Sequence, residues 1–400
     1  MQDQLSANES WLLTLLECEG PLTRAELTDR CGLPRTTVTG AAARLVDRGL
    51  VSEHDGAAAG PGRPPQTLRV TGRPRLLAVV SAGEAATTAS VLTYAGELLG
   101  RSSMPPGPRS PTGRRPQRDE PEPAEDRPAA AHHSGPARPA GGASSGDLVK
   151  LALDAAGLPA SRLAMLIEDV SAPVSRVGSN ARTAEIDGRR VPALHENDAN
   201  LGALGEAVFG AGRGLDSLIF VKLGHNVGAG LVIGGQLRRG ATGFAGELAH
   251  VQISSDSGAA LCVCGGRGCL ATLVGPSLVG FVEHAYEQRL ALSEVLALAA
   301  ERDPGVRRVF ADLGRIIGRP LADLCTMIDP DAVVVDSTLG DAGDFVLAGL
   351  RESIDRHAAP VVADSLQVLQ GELGDEAEAL GGVALARQFR LAAGARRLRG

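Results

Sequence analysis

The chain has 400 residues, 44% of them hydrophobic, enough for two or three packed units. A formal net charge of −7 excludes a chain-wide electrostatic grip on nucleic acid, so any DNA contact has to come from a local surface. The six cysteines are too few and too clustered for a disulfide framework, no apolar run approaches the ~20 residues that span a bilayer, and the polar stretch Met1–Ser10 lacks a signal-peptide core, so a cytoplasmic protein with no membrane partner is expected.

Residues 1–75 read as a winged helix-turn-helix. Trp11, Leu12, Leu15 and Leu16 recur at helical spacing on one face. Thr23-Arg24-Ala25-Glu26 is a capping box that starts a second helix, and Gly32 follows its end. Pro34 opens a third helix whose buried stripe is Val38, Ala42, Leu45 and Val46, closed by Gly49. Leu50 to Glu53 and Leu68 to Val70 are the expected strands of a wing. Residues 1–77 balance nine Arg against nine Asp and Glu, which alone would suit a small helical interaction domain. The exposed start of the third helix argues for DNA: Arg35, Thr36, Thr37 and Thr39 present a guanidinium and short hydroxyls where a recognition helix meets base edges and phosphates. Arg63, in a Gly-Arg-Pro tip, suits a narrow minor groove.

Residues 76–400 form the second unit. Leu76 to Val80, Thr87 to Tyr94 and Glu97 to Leu99 are expected as a β-meander. From Arg101 to Gly146 there is no Leu, Ile, Val, Phe, Tyr or Trp, and ten of the 24 prolines lie there. Such a stretch cannot bury enough apolar surface to offset its ordering entropy, so 101–146 reads as a disordered insertion rather than a partner-binding tail. A helix from Asp147 to Ala156 and a strand from Met165 to Val170 follow. Val191 to Glu196 leads into Asn197-Asp198 and a helix from Ala199 to Phe209; Leu218 to Leu223, Gly230 to Ile233 and Ala332 to Val335 are further strands. Strands alternating with crossover helices indicate an α/β class. Asn197-Asp198 sits at a strand-to-helix junction, a usual place for site residues, although the pair could equally cap the helix.

Between residues 250 and 269 the chain concentrates its most specific chemistry. Cys262-Val263-Cys264 and Cys269 put three thiols into eight positions, with His250 twelve residues upstream. The intervening glycines permit the positive φ angles of a tight loop. A Cys₃His set matches four-coordinate structural Zn²⁺. A metal-free cysteine cluster or a redox pair is the alternative.

Gly246-Glu247-Leu248-Ala249-His250 followed by Cys-x-Cys-Gly-x-x-Gly-Cys resembles the signature of the ROK family of sugar kinases and sugar-responsive repressors, over most of the chain beyond about residue 76. The resemblance implies an actin-like (ribonuclease H-like) two-lobed sugar kinase fold with a cleft between lobes. It places Asp198 as the base of phosphoryl transfer, and Asn197, Glu247 and His250 on sugar hydroxyls. The first 70 residues are similar to the DNA-binding half of ROK repressors, in which a Gly-Arg-Pro follows the wing. The phosphate machinery departs from the family. An Asp-x-Gly-Gly-Thr-like loop is replaced by Ser81-Ala82-Gly83-Glu84-Ala85, Gly-Thr-Gly-x-Gly by Gly224-His225-Asn226-Val227-Gly228, and the adenosine-binding Gly-Gly by Asp336-Ser337. Leu270 stands where a sugar-contacting glutamate is expected, and the Ser171–Pro192 segment is short. Phosphoryl transfer depends on positioning and charge stabilisation, so three altered loops predict a non-catalytic member. The resulting expectation is a homodimeric, zinc-containing, sugar-sensing repressor on a palindromic operator. The alternatives are an ATP-dependent sugar kinase with a regulatory head, and a DNA-binding regulator whose cleft has decayed and answers to a protein partner.

Overall fold

The structure, a computed structural model, describes residues 5–55, 66–72, 74–83, 86–105, 144–170, 174, 182–223, 227–256, 258–274, 290 and 292–399. The wing tip with Arg63, residues 106–143 of the proline-rich segment, and the Gly224-His225-Asn226 part of the second phosphate loop lie outside them.

The head contains α1 (Ala7–Glu19), β1 (Leu22–Thr23), α2 (Arg24–Cys31), α3 (Arg35–Asp47), β2 (Val51–Asp55) and β3 (Gln66–Val70). Capping boxes Ser6/Glu9 and Thr23/Glu26 start α1 and α2, and Gly32 ends α2 in the left-handed conformation. The wing strands pair antiparallel with Val51 opposite Val70, and β1 adds a third strand on the other side of β3. Leu12, Leu27, Val38, Leu45 and Leu68 form the fully buried centre. Glu9 is buried beneath α3, where Arg44 and Arg48 pair with it; hydrogen bonding to Arg44 and to the Ser6 backbone holds its carboxyl below the usual range.

The first body sheet is built from β4 (Leu76–Ala82), β5 (Thr87–Thr93), β6 (Leu98–Met104), β7 (Leu163–Val170), β8 (Arg182–Ile186) and β9 (Arg189–Asn197), in the order β6-β5-β4-β7-β9-β8. The second holds β10 (Leu218–Leu223), β11 (Val227–Ile233), β12 (Gln236–Leu237), β13 (Ala332–Val335) and β14 (Gln367–Gln370), in the order β12-β11-β10-β13-β14. Counted from its own first strand, each sheet reads 3-2-1-4-5, the first with β8 added at one edge. In both, strands 1 to 3 are antiparallel and strands 4 and 5 run parallel to strand 1. The two halves of the body therefore repeat one topology.

Two helices, α5 (Asp198–Phe209) and α11 (Ala377–Arg399), lie between the sheets. Their backbones approach so closely that a Cβ at Gly381 would sit 1.8 Å from the Leu201 carbonyl oxygen. Strand alternation assigns the faces. Leu77 and Val79 of β4 and Leu218 and Phe220 of β10 enter this shared inner core, while Leu76, Ala78, Ile219 and Val221 face outward. On the outside, α4 (Ser145–Ala155) covers the first sheet. Helices α6 (Leu270–Val274), α7 (Leu292–Ala300), α8 (Pro304–Ile328), α9 (Ala342–His357) and α10 (Pro360–Ser365) accompany the second.

Several elements differ from the sequence reading. The stretch read as insertion gives way early at its far end, where α4 starts at Ser145. Strand β6 continues through Arg101–Met104, into the stretch read as insertion, because an edge strand needs backbone pairing more than apolar side chains: it pairs with β5 from Thr87↔Met104 to Leu92↔Leu98. Its Ser102 hydroxyl donates to the Leu148 carbonyl of α4. The hairpin partner β8, rich in polar residues, and the four-residue edge strand β14 carry too little alternation to be recognised.

Candidate functional site

The cysteine loop follows a 3₁₀ turn, Leu248–His250, whose Leu248 is anchored in the outer core of the second sheet with Leu270. The ligand-capable atoms of His250, Cys262, Cys264 and Cys269 all lie within 4.8 Å of one another. His250 Nδ1 is 3.5 Å from Cys262 Sγ, and the Cys264 and Cys269 sulfurs are 3.7 Å apart. A disulfide would need about 2.05 Å. A tetrahedral zinc with bonds of about 2.3 Å sets sulfurs about 3.8 Å apart, so the donor set fits that ion. The backbone of the loop is tightly constrained. Gly268, at φ +65°, could not carry a Cβ, which would meet the Ser254 carbonyl oxygen at 2.0 Å. The Gly266 N–H donates to Cys264 Sγ at 3.4 Å and lowers that thiol's pKa, while burial pushes Cys269 up to about 12. Burial also lowers the His250 pKa, favouring the neutral imidazole a metal requires.

A cluster of charged side chains lies where inner-face strand positions run out beyond the strands' hydrophobic portions. On β7 the register Met165, Ile167 leads to Asp169; on β10 Leu218, Phe220 leads to Lys222; after β13 Ala332, Val334 leads to Asp336. The first turns of α5 and α11 bring Asp198 and Glu378 to the same place. Lys222 Nζ donates to Asp198 Oδ2 at 3.0 Å and also pairs with Glu378. Burial opposes its ammonium, but Asp198 and Glu378 outweigh that and raise its pKa. Asp169 is buried and accepts the Ala82 N–H at 2.9 Å. Burial, reinforced by Glu378 and Asp198, raises its pKa. Asp336, also buried, accepts the Thr338 N–H at 3.0 Å and is pushed up to about 6, chiefly by burial. Glu247 is half-buried, its pKa raised by burial and then by the Asp198 charge. One ammonium thus serves a group of carboxylates, the arrangement that shifts pKa values apart.

Of the expected sugar contacts, Asn197 caps α5, its Oδ1 accepting the Asn200 N–H at 3.2 Å. Asp198 combines a local bond from the Ala199 N–H at 2.8 Å with the Lys222 pair. Glu247 precedes the 3₁₀ turn and His250 ends it, with His250 Nδ1 turned to the thiols. Lys222, Glu378 and Asp169 were not singled out from sequence as site residues. The available signal was a charged residue in phase with Leu218 and Phe220 on an otherwise apolar strand.

In the head, Arg35, Thr36 and Thr39 are exposed and Thr37 half-buried at the first turns of α3, beside buried Val38. The third helix starts at Arg35, with Pro34 as its N-cap.

Residues 187–389, half of the chain, match the ROK family. The chain belongs to the ROK family. Residues 3–58 match the MarR family. Over 215 residues the chain is 31% identical to a glucokinase of Halalkalibacterium halodurans, covering 50% of this chain and 64% of that protein. It is 31% identical over 191 residues to the xylose repressor of Bacillus subtilis, covering 48% of this chain and 49% of the repressor. The match thus spans about half to two thirds of these relatives. Among solved structures, a ROK family transcriptional regulator, a homologue of the E. coli MLC protein, superposes with a TM-score of 0.68 at 20% identity, covering 98% of this chain and 99% of the other. That likeness shows the fold, winged head and two-lobed actin-like body together. A ROK glucokinase from Streptomyces griseus in complex with glucose and AMPPNP superposes with a TM-score of 0.54 at 26% identity, over 78% of this chain and 99% of that one. No helix among the described residues is long and apolar enough to cross a membrane.

Proposed function

We propose that this ROK protein is a DNA-binding transcriptional regulator, acting as a repressor, whose body senses a sugar or sugar derivative and does not phosphorylate it. The observation that carries this reading is a winged helix with an exposed Arg35-Thr36 helix start on the same chain as a ROK cleft whose Asp198 is tied to Lys222. The Lys222 ammonium already engages Asp198 Oδ2, and the altered Ser81–Gly83 and Asp336-Ser337 segments offer a nucleotide little. The xylose repressor relative supports a sugar effector, with Asn197, Asp198, Glu247 and His250 as the groups that would meet its hydroxyls.

His250, Cys262, Cys264 and Cys269 would hold a structural zinc, which fixes the turn carrying Glu247. As a dimer the chain would set two heads on half-sites about one helical turn, ~34–36 Å, apart. Arg35, Thr36, Thr37 and Thr39 would enter the major groove and Arg63 the minor groove. Selection from random duplex DNA at one fixed salt concentration, with zinc-loaded protein, tests the reading. A palindrome with that spacing is expected, and absence of any enriched sequence would overturn it.

The glucokinase relatives favour a second reading, a kinase with a regulatory head; one from Streptomyces coelicolor is 34% identical over 68% of its own length. ATP-dependent phosphorylation of glucose or xylose, abolished by Asp198→Ala, would establish it.

A further inference from the structure

Helix α11 touches both the cleft and the head. Its first turn carries Glu378, which pairs with Lys222 beside Asp198. Its far end enters the head. Leu391 and Ala395 pack on the head core, and a Cβ on Gly394 would lie 2.3 Å from the Trp11 ring, so glycine is required for the indole to seat there. Glu378 and Gly394 are separated by sixteen residues of one helix, about 24 Å.

The junction is polar as well as apolar. Arg390 reaches Glu17 of α1, and both side chains are largely buried, at 16% and 8% exposure. Its guanidinium lies 4.6 Å from the Tyr94 ring centroid. One turn earlier Arg387 donates to the Tyr94 carbonyl oxygen at 2.6 Å and stacks over Phe209 of α5, 4.9 Å from the ring centroid. Cys18 of α1 is buried within the inner core of the body, not that of the head. The indole N–H of Trp11 is buried with no hydrogen-bond partner among the described residues. The largely buried ion pair and the unpartnered indole N–H make this a contact that can separate and be rehydrated.

We propose that α11 is a strut that couples the Lys222–Asp198–Glu378 cluster to docking of the head: ligand rearrangement of the cluster shifts α11 and releases α1 from Arg390, Tyr94 and Gly394. The coupling follows from rigidity. A helix held at both ends by specific contacts cannot change its register at one end without straining the other. The proposal deepens the sensing reading by naming its transmission element. Its test needs neither operator nor sugar, so failure of operator binding and failure of the strut are distinguishable.

Cys18 reports the junction. The full-length zinc-loaded protein is labelled with iodoacetamide and the rate at each cysteine read by peptide mass spectrometry. Cys325, buried in the body, controls for general loosening, and half-buried Cys31 controls for the head's own fold. Arg390→Gln, at the junction, should raise the Cys18 rate at least three-fold. Glu378→Gln, at the cleft end, should raise it at least two-fold with Cys31 and Cys325 unchanged. Lys222→Met should do the same; where that variant fails to fold, Glu378→Gln decides. A wild-type Cys18 rate in Glu378→Gln, or a rise shared by Cys325, overturns the strut. An unchanged rate in Arg390→Gln overturns the junction itself.

Discussion

Lys222 and Asp198 stand 24 positions apart in sequence, on β10 and at the start of α5, yet the lysine ammonium lies 3.0 Å from an aspartate carboxylate oxygen. The pair joins the second sheet to the helix that follows the first sheet. It also places a permanent cation beside the group that the family relationship would make a base. The ammonium engages the carboxylate oxygen Oδ2, one of the two through which Asp198 could accept a hydrogen bond from a ligand.

Removing the cation should therefore be costly. Lys222→Met leaves Asp198 and Glu378 facing each other near buried Asp169. Loss of one partner from a largely buried pair costs about 3 kcal/mol. Urea denaturation at pH 7 should show a loss of this order, and adding Asp198→Asn to Lys222→Met should recover part of it, since the neutral amide removes the uncompensated charge.

The acid-side behaviour has two windows of opposite sign. Asp336 has a folded pKa of about 6, above its ordinary 3.8, and Asp169 is raised as well. The folded protein therefore holds these protons more tightly than the unfolded chain, and stability rises as pH falls from about 7 towards 5. Glu9 works the other way: its lowered pKa contributes stability above about 4.5 that is lost as pH falls through the folded value. Thermal melts should show greater stability at pH 5.5 than at pH 7.5, and Asp336→Asn should flatten that rise while leaving the decline below pH 4.5 in place.

How much of this was readable from sequence depends on how far apart the partners lie. The Cys₃His cluster was legible because its side chains fall within 20 residues and its glycines announce the turns; Gly265 and Gly268 do take positive φ. The head was legible because Thr23/Glu26 caps its helix locally and Trp11, Leu12, Leu15 and Leu16 recur on one buried face. The cleft was half legible. Asp198 stood out at its strand-to-helix junction, but Lys222 and Glu378 meet only through packing of β10, α5 and α11, with Glu378 lying 156 positions from Lys222. Strand β6 was cut short because an edge strand with serines and an arginine looks like loop when its partner is unknown.

Zinc should be a folding element. One equivalent per chain is expected by elemental analysis, and Cys264→Ser should lower it at least ten-fold in affinity. Chelation should lower Tm by several degrees and loosen the Val251–Leu270 backbone contact that closes the loop. Gly268→Ala should act like chelation without touching a donor, because its Cβ collides with the Ser254 carbonyl. An unchanged Tm after complete removal of the metal would separate the loop from stability.

The head's contact with DNA should divide by residue type. Arg35 is exposed at the first position of α3, where the helix N-terminus also favours phosphate. If Arg35 meets a phosphate, Arg35→Ala should weaken binding similarly on all sequences and reduce the slope of log K against log salt by about 1. If it reads a guanine edge, the same change should cost about 1–3 kcal/mol at one base position and relax specificity there. Thr36→Ala and Thr39→Ala remove no charge, so their salt slopes should match wild type whatever they do to affinity. Val38, buried between them, sets the rotation of the helix. Val38→Ala should therefore lower head stability by about 1–2 kcal/mol while leaving the preferred operator sequence unchanged.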